Sequence, residues 1–430
     1  MNKRYFPRRK NKFGLRTRET IRKPLSIHGK AIIVIMVLLL LMGLVFIYDA
    51  SAFQTTHFFD NRFHFVGSQL QWIIIGFVVM FVVSMINYKF FLYKNAHWVI
   101  GITIFLLVLV LITSSKLLDS VSSIGGIWEV GTQTQVGGAG RWLFFTPMGR
   151  RIGLQPGEFA KIGVTLYIIN WVLALKPVAL RGVDAIKHHV YNELLIFVLI
   201  LLGCCGLIIL QPDMGTTMVI AMTCFIVYFI SGVDKIHLIG SVVLAFFMGL
   251  IILMAGTLAS YRMSRIEVYR EVVFSGEVSR ENLENGTGYQ MQQILIGIGS
   301  GGWFGRGLGK SRQENGFLVE NTAFTDSIIA VILEETGFVG GLTILLIYWI
   351  FIRMGYEISK KVKSKDGKLV VLAMLSIIAI QTLFHIGANV AVIPLTGIPL
   401  PFISYGGSSL LVSMIAVGFI LSVDRYADKS

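Results

Sequence analysis

The feature that most constrains this chain is the recurrence of apolar runs near twenty residues long. That is the length a helix needs to cross about 30 Å of hydrocarbon. Such runs lie near residues 31–48, 69–87, 97–114, 157–175, 193–210, 214–231, 236–256, 325–353, 368–389 and 407–423. The weakest boundary is Gln211-Pro212-Asp213, which interrupts two of them. The predicted fold is an all-α integral membrane protein of about ten transmembrane helices, with a large extracytoplasmic loop, 256–325, between helices 7 and 8. The membrane domain covers 31–423, between a basic tail at 1–30 and a short tail at 424–430. Composition agrees: 14% of the residues are charged and 54% apolar, where soluble chains carry about 25% charge.

The formal charge of +14 raises nucleic acid as a partner, and its distribution argues against one. Much of it lies in the first thirty residues, among them Arg8, Arg9, Lys10, Arg16 and Arg18, and in a cluster from Lys360 to Lys368. Both flank apolar runs, as cytoplasmic loops do, and neither has the interleaved aromatics of a base-stacking surface. No nucleic acid is expected; anionic lipid headgroups are. Placing the N-terminus in the cytosol puts Lys89, Lys94, Lys176, Arg181 and Lys187 inside as well, and ten spans return the C-terminus to that side. The loops around 114–156, 257–324 and 390–406 then face outward. Ala50-Ser51-Ala52 resembles a signal-peptide cleavage site, but the run before it is nearer a full span, so a retained first helix is expected. Cys204, Cys205 and Cys224 lie inside apolar runs and read as packing residues. There is no internal repeat, which counts against a transporter built from inverted halves.

The polar residues that could carry chemistry fall mostly at the outer ends of the spans. Gly286–Lys310 is the richest glycine stretch, and Gly309-Lys310-Ser311 ends like a phosphate-binding loop. The register fails, because Phe304 stands where the first glycine is required, so no nucleotide is expected. The glycines read instead as sites of close backbone packing or of approach to a headgroup. Asp326 begins a long apolar run; spacing alone allows an ordinary acidic residue at a helix N-terminus. Glu334 and Glu335 lie about two turns deeper, where carboxylates mark an interior face. Glu158 and Lys161 can form a structural ion pair, Trp142 beside Arg141 a membrane anchor, and His385 a packing contact or a proton relay. Ile393–Leu410, with three prolines and three glycines, cannot be one helix and is expected to line a cavity.

In order along the chain these residues resemble the SEDS family (shape, elongation, division, sporulation), which includes FtsW and RodA. The matching stretches are Gly140-Arg141-Trp142, Gln155–Lys161, Gln211–Gly215, Gly288-Tyr289-Gln290 with Gln293, Gly299–Gly302, Gly305–Gly309, Thr325-Asp326, Glu334-Glu335 and LPFISYGGSSL at 400–410. The resemblance implies a peptidoglycan glycosyltransferase that polymerises lipid II at the outer face of the bacterial cytoplasmic membrane. Its partners would be a class B penicillin-binding protein and other division or elongation proteins, at the septum if the chain is FtsW-like, which its long basic tail favours. A lipid II flippase or a non-catalytic scaffold is the alternative. By resemblance, Asp326 is the general base of an inverting transfer. The substrate-binding residues implied are Arg141, Trp142, Glu158, Lys161, Gln211, Asp213, Arg262, Tyr289, Gln290, Gln293, Glu320, Thr325, Ser404 and Tyr405. Positive charge for a departing pyrophosphate would come from Arg141, Arg262, Arg265 or a divalent cation, Mg²⁺ or Mn²⁺. The chain departs from the family pattern in a longer Trp142–Gln155 stretch, in Gly157, in Val319 before Glu320, and near Gly316, where Glu314 could replace an acidic residue.

Overall fold

A backbone N–H or C=O left without a partner in lipid costs several kcal/mol, so a chain of this composition crosses as helices. The computed structural model describes residues 23–58, 61–114, 141–145, 152–175, 195–231, 260–275, 279, 287–312 and 322–428. The helices are α1 (Ile27–Ala50), α2 (Ala52–Phe58), α3 (His64–Met85), α4 (Ala96–Ser114), α5 (Pro156–Ala174), α6 (Leu195–Ile209), α7 (Met214–Ile230), α8 (Ser260–Ser275), α9 (Thr287–Gly301), α10 (Ile328–Lys361), α11 (Lys365–Asn389) and α12 (Gly407–Tyr426). A π-helical turn, Phe90–Lys94, precedes α4. Local chemistry sets several starts. Ser26 caps α1 by accepting from Gly29 N, Pro156 opens α5, and Asp213 caps α7 by accepting from Thr216 N.

α1, α3, α10, α11 and α12 are long and apolar enough to cross a membrane, and α4, α6 and α7 are shorter apolar helices. Ile74, Val78, Phe105, Leu342 and Trp349 are large, apolar and exposed, a surface that lipid covers and water does not. The chain is thus a multi-pass, all-α membrane protein. α12 is enclosed on almost every side and packs along α3. Gly418 makes that approach possible, since a Cβ there would lie 2.9 Å from Met80 O. α10 packs on α1, α9 and α11, and α5 bridges α4 and α7.

Each expected span coincides with a helix except 236–256, which lies outside the described residues, as do the tail up to residue 22 and the basic residues Lys176, Arg181 and Lys187. Three features differ from expectation. Leu143–Phe145 and Ile152–Leu154 pair as a small antiparallel hairpin, β1 and β2, in an otherwise helical chain. The loop 256–325 carries α8 and α9. And α10 begins at Ile328, so Asp326 stands in a turn ahead of the helix rather than on it.

α10 is broken at Gly337 (φ 68°, ψ −167°). The two ladder bonds that would join Glu334 O to Phe338 N and Glu335 O to Val339 N are open, and the loop after α9 fills the gap. Arg306 N and Gly307 N donate to Glu334 O and Glu335 O, each at 3.0 Å, while Phe338 N and Val339 N donate to Gly302 O and Trp303 O at 2.9 and 3.1 Å. Every group freed by the break is satisfied by inserted backbone. The Glu334 side chain, fully buried, locks the loop from within. It accepts from Arg306 Nη1 (3.1 Å), Ser311 Oγ (2.8 Å), Arg312 N (3.1 Å) and Ser300 Oγ (3.3 Å). The glycine stretch is therefore a packing device.

A Cβ on Gly305 (φ 79°) would lie 2.0 Å from Glu335 O, whereas Gly302 (φ 53°) faces open space. Gly305→Ala is expected to cost about 3 kcal/mol or more and Gly302→Ala about 1 kcal/mol. Thermal unfolding in detergent measures both, and equal losses would contradict the insertion.

Candidate active site

Asp326 lies in the turn 322–327, which no helix carries; neighbouring elements hold it. Within the turn, Ser327 N donates to Thr322 O at 2.9 Å. From α11, Asn389 Nδ2 donates to Asp326 O at 3.0 Å. From the non-helical segment 390–406, Ser404 Oγ donates to Thr325 O (2.7 Å) and Tyr405 N to Phe324 O (2.9 Å). From α9, Gln290 Nε2 donates to Ser327 Oγ at 3.3 Å. The backbone at Asp326 is thereby fixed from three directions before any substrate arrives.

The side chain faces a narrow cleft whose wall includes Arg265, Gln290, His385, Asn389, Thr396 and Gly397. Gly397 (φ 68°) stands against it, and a Cβ there would lie 3.3 Å from Asp326 Oδ2 and 3.9 Å from Arg265 Nη1. Arg265, on α8, donates from Nη1 to Leu395 O at 2.7 Å, which ties the arginine to the same segment. Burial pushes the Asp326 carboxyl above the ordinary carboxylate range, Arg265 and then Arg141 pull it back, and Asp213 adds to the rise.

A second polar cluster lies behind residues 396–398. Asp213 accepts from Gln155 Nε2 (2.8 Å), Thr216 N (3.0 Å) and Thr216 Oγ1 (2.8 Å). Arg141 Nη2 donates to Pro212 O at 2.6 Å, and Gln211 Nε2 to Leu107 O at 3.0 Å. A Cβ on Gly215 would lie 3.0 Å from Thr396 O, so the helix end carrying Asp213 touches the back of the segment that Asp326 faces. Lys161 Nζ, fully buried, pairs with Glu158 Oε1 at 2.7 Å and donates to Gln381 Oε1 at 2.9 Å. Gln381 Nε2 in turn donates to Pro399 O and Ser409 Oγ, both at 2.9 Å.

The structure thus groups Asp326, Arg265 and Gln290 around one cleft and brings Arg141 and Asp213 within electrostatic reach. Glu158 and Lys161 form an ion pair inside the bundle, outside the cleft wall. Thr325, Ser404 and Tyr405 hold the turn through their backbone or hydroxyl groups; Tyr405 Oη also meets Ser68 Oγ at 3.1 Å. Gln211 braces α4. Trp142 is exposed and stacks on Phe144. Tyr289 and Gln293 lie on α9, the helix of Gln290, without lining the cleft. Glu320, Glu314, Gly316 and the side chain of Arg262 lie outside the described residues. Sequence reasoning did not single out Asn389, whose available signal was a polar residue at depth in an apolar span, and weighed His385 as a packing residue or a proton relay; Thr396 and Gly397 belong to the segment expected to line a cavity, and they line this one. Among the described residues no three or more His, Cys, Asp or Glu side chains gather as a cation cage, and the charge opposite Asp326 is an arginine.

A carboxyl whose proton affinity rises on folding ionises less readily in the fold than in the unfolded chain. Its charge at neutral pH then subtracts from stability, and the loss disappears as pH falls below the folded pKa. Asp326→Asn is therefore expected to melt higher than wild type at neutral pH, with the gap closing on acidification. A gap that widens as pH falls would contradict the upward shift.

The sequence model of the family described as Cell cycle protein, FtsW/RodA/SpoVE, matches residues 30–429. Stage V sporulation protein E of Bacillus subtilis is 32% identical over 403 residues, covering 92% of this chain and 96% of its own. A protein of Trichlorobacter lovleyi named "Probable peptidoglycan glycosyltransferase FtsW" is 30% identical, covering 94% of this chain and 96% of its own. Two solved structures share the fold. A chain from a peptidoglycan synthase complex superposes with a TM-score of 0.65 at 22% identity, covering 91% of this chain and 96% of its own. The rod shape determining protein RodA of Thermus thermophilus does so at 0.59 and 22% identity, covering 92% and 97%. With its family model matched over almost all of its length, this chain belongs to the FtsW/RodA/SpoVE family of cell cycle proteins.

Proposed function

We propose that this chain is a peptidoglycan glycosyltransferase that polymerises lipid II at the outer face of the bacterial cytoplasmic membrane, with Asp326 as general base. The observation that carries the reading is the setting of Asp326: a carboxyl on a backbone held from three directions, its proton affinity raised by burial, in a cleft beside Arg265. A base works best when its pKa approaches the working pH, and burial moves a carboxyl that way. The relatives named as peptidoglycan glycosyltransferases support the choice of substrate.

The acceptor sugar's hydroxyl oxygen attacks the anomeric carbon of the donor while its proton passes to Asp326 Oδ. The bond from that carbon to the pyrophosphate oxygen breaks, and the electron pair leaves with the polyprenyl pyrophosphate. Attack from the face opposite the leaving group turns an α-linked donor into a β-linked product. Arg265 and Arg141 supply positive charge near the site, and charges already in place need little reorganisation as the leaving group departs. Arg265 thus acts in two opposed senses, favouring the leaving anion while lowering the basicity that burial raises at Asp326.

The sidedness follows from the positive-inside rule, with both termini and the Lys360–Lys368 cluster cytoplasmic. The partner is a class B penicillin-binding protein, in keeping with the synthase complex that shares this fold. The basic tail favours an FtsW-like role at the division septum.

Glycan-strand formation from purified lipid II, with the cognate transpeptidase present, tests the reading. Asp326→Ala is expected to lower the rate by about 10²–10⁴-fold with the fold intact. The wild-type acid limb should titrate above the ordinary carboxylate value of about 4. Polymer from a folded Asp326→Ala protein would place the base elsewhere. No polymer from wild type would favour a flippase or scaffold.

A further inference from the structure

His385, Asn389 and Thr396 line the cleft that holds Asp326, and each carries a buried polar atom without a hydrogen-bond partner among the described residues. His385 is almost fully buried on α11, and its Nδ1 lies 2.7 Å from Ile398 O. A carbonyl oxygen only accepts, so Nδ1 carries the hydrogen, and the neutral ring leaves a lone pair on Nε2. That Nε2 has no hydrogen-bond partner among the described residues. Asn389, one turn on and equally buried, donates from Nδ2 to both Asp326 O and His385 O (3.0 and 2.8 Å). Both partners are acceptors, so the amide can stand only one way round, and Oδ1 is the atom left without a partner among the described residues. Thr396 Oγ1, shielded from solvent, has none there either. A buried polar atom left unsatisfied in this way is costly, and a ligand donor that reaches it removes the cost. All three residues line the cleft of Asp326 and Arg265.

We propose that this wall is the subsite for the sugar of the lipid-linked substrate, and that His385 Nε2 accepts a hydrogen bond from one of its O–H or N–H groups. The inference rests on the glycosyl-transfer reading and says which part of the substrate lies where. The lone pairs of Nε2 and Asn389 Oδ1, beside the Asp326 carboxylate, demand donors. A pyrophosphate brings only oxygens and is repelled by such a wall. A sugar ring with hydroxyls and an acetamido N–H brings donors, and the Thr396 hydroxyl can serve either polarity. The ring therefore faces α11 and residues 396–397, and the pyrophosphate points towards the arginines.

Binding of two probes to the full-length protein tests this, in an Asp326→Asn background so that turnover does not intervene: lipid II, and undecaprenyl pyrophosphate, which lacks the sugars. His385→Asn keeps a donor for Ile398 O and removes Nε2. Thr396→Val removes the hydroxyl and keeps the shape, so it serves where the histidine variant fails to fold. Each is expected to weaken lipid II binding about tenfold while leaving undecaprenyl pyrophosphate within about twofold. Unchanged lipid II affinity, or equal loss of both probes, would overturn the subsite. Polymerisation by Asp326→Ala would instead overturn the base assignment and leave the binding result standing, so the two failures are distinguishable.

Discussion

The structure depends on a single constraint: backbone that is not helical cannot face lipid unsatisfied. The segment from Val390 to Gly406 is non-helical because its prolines and glycines forbid a helix, yet from Ile398 to Ser404 it is largely buried in the bundle. Side chains from many elements therefore converge on its carbonyls. His385 takes Ile398 O, Gln381 takes Pro399 O, Arg265 takes Leu395 O, Tyr269 takes Val392 O and Gln69 takes Ser404 O. The same convergence that satisfies the segment assembles the cleft. Arg265, which satisfies one of its carbonyls, also supplies the charge beside Asp326, and Ser404, a member of the segment, holds the Asp326 turn.

Asp326 benefits from standing in a turn. A carboxylate on the first turn of a helix would have its position set by that helix and its proton affinity lowered by the helix dipole. Here the residue is tied to α11, α9 and the non-helical segment at once, and burial wins over the nearby arginines. The second cluster, around Asp213 and Arg141, acts through the thickness of three residues, 396–398, so the two polar clusters influence each other electrostatically across that segment.

Much of the scaffold was legible in the sequence because membrane spans are long and apolar and announce themselves without tertiary information. The broken character of 393–410 was legible for a similar reason, since proline and glycine act locally. The interior position of Glu334 followed from depth alone. Other features had little local signal. α8 is polar and reads as loop, and the β1–β2 hairpin is too short to show a period. His385, Asn389 and Thr396 are single polar residues among apolar neighbours, and what they do is decided by which carbonyl or cleft lies opposite, a matter of tertiary pairing. The glycine stretch gave a correct reading of close packing, but not that its target was the ladder of another helix.

The break at Gly337 changes how a push or a pull is carried through the molecule. A continuous helix behaves as a rod, because each turn is bonded to the next. Across Gly337 the load runs sideways instead, through Gly302, Trp303, Arg306 and Gly307 into the end of α9. The lipid-exposed half of α10, with Leu342, Leu346 and Trp349 on its surface, is thus mechanically continuous with the helix that carries Gln290 as much as with its own first half. Strain applied from the bilayer side reaches the Asp326 turn along two separate struts rather than along one shaft.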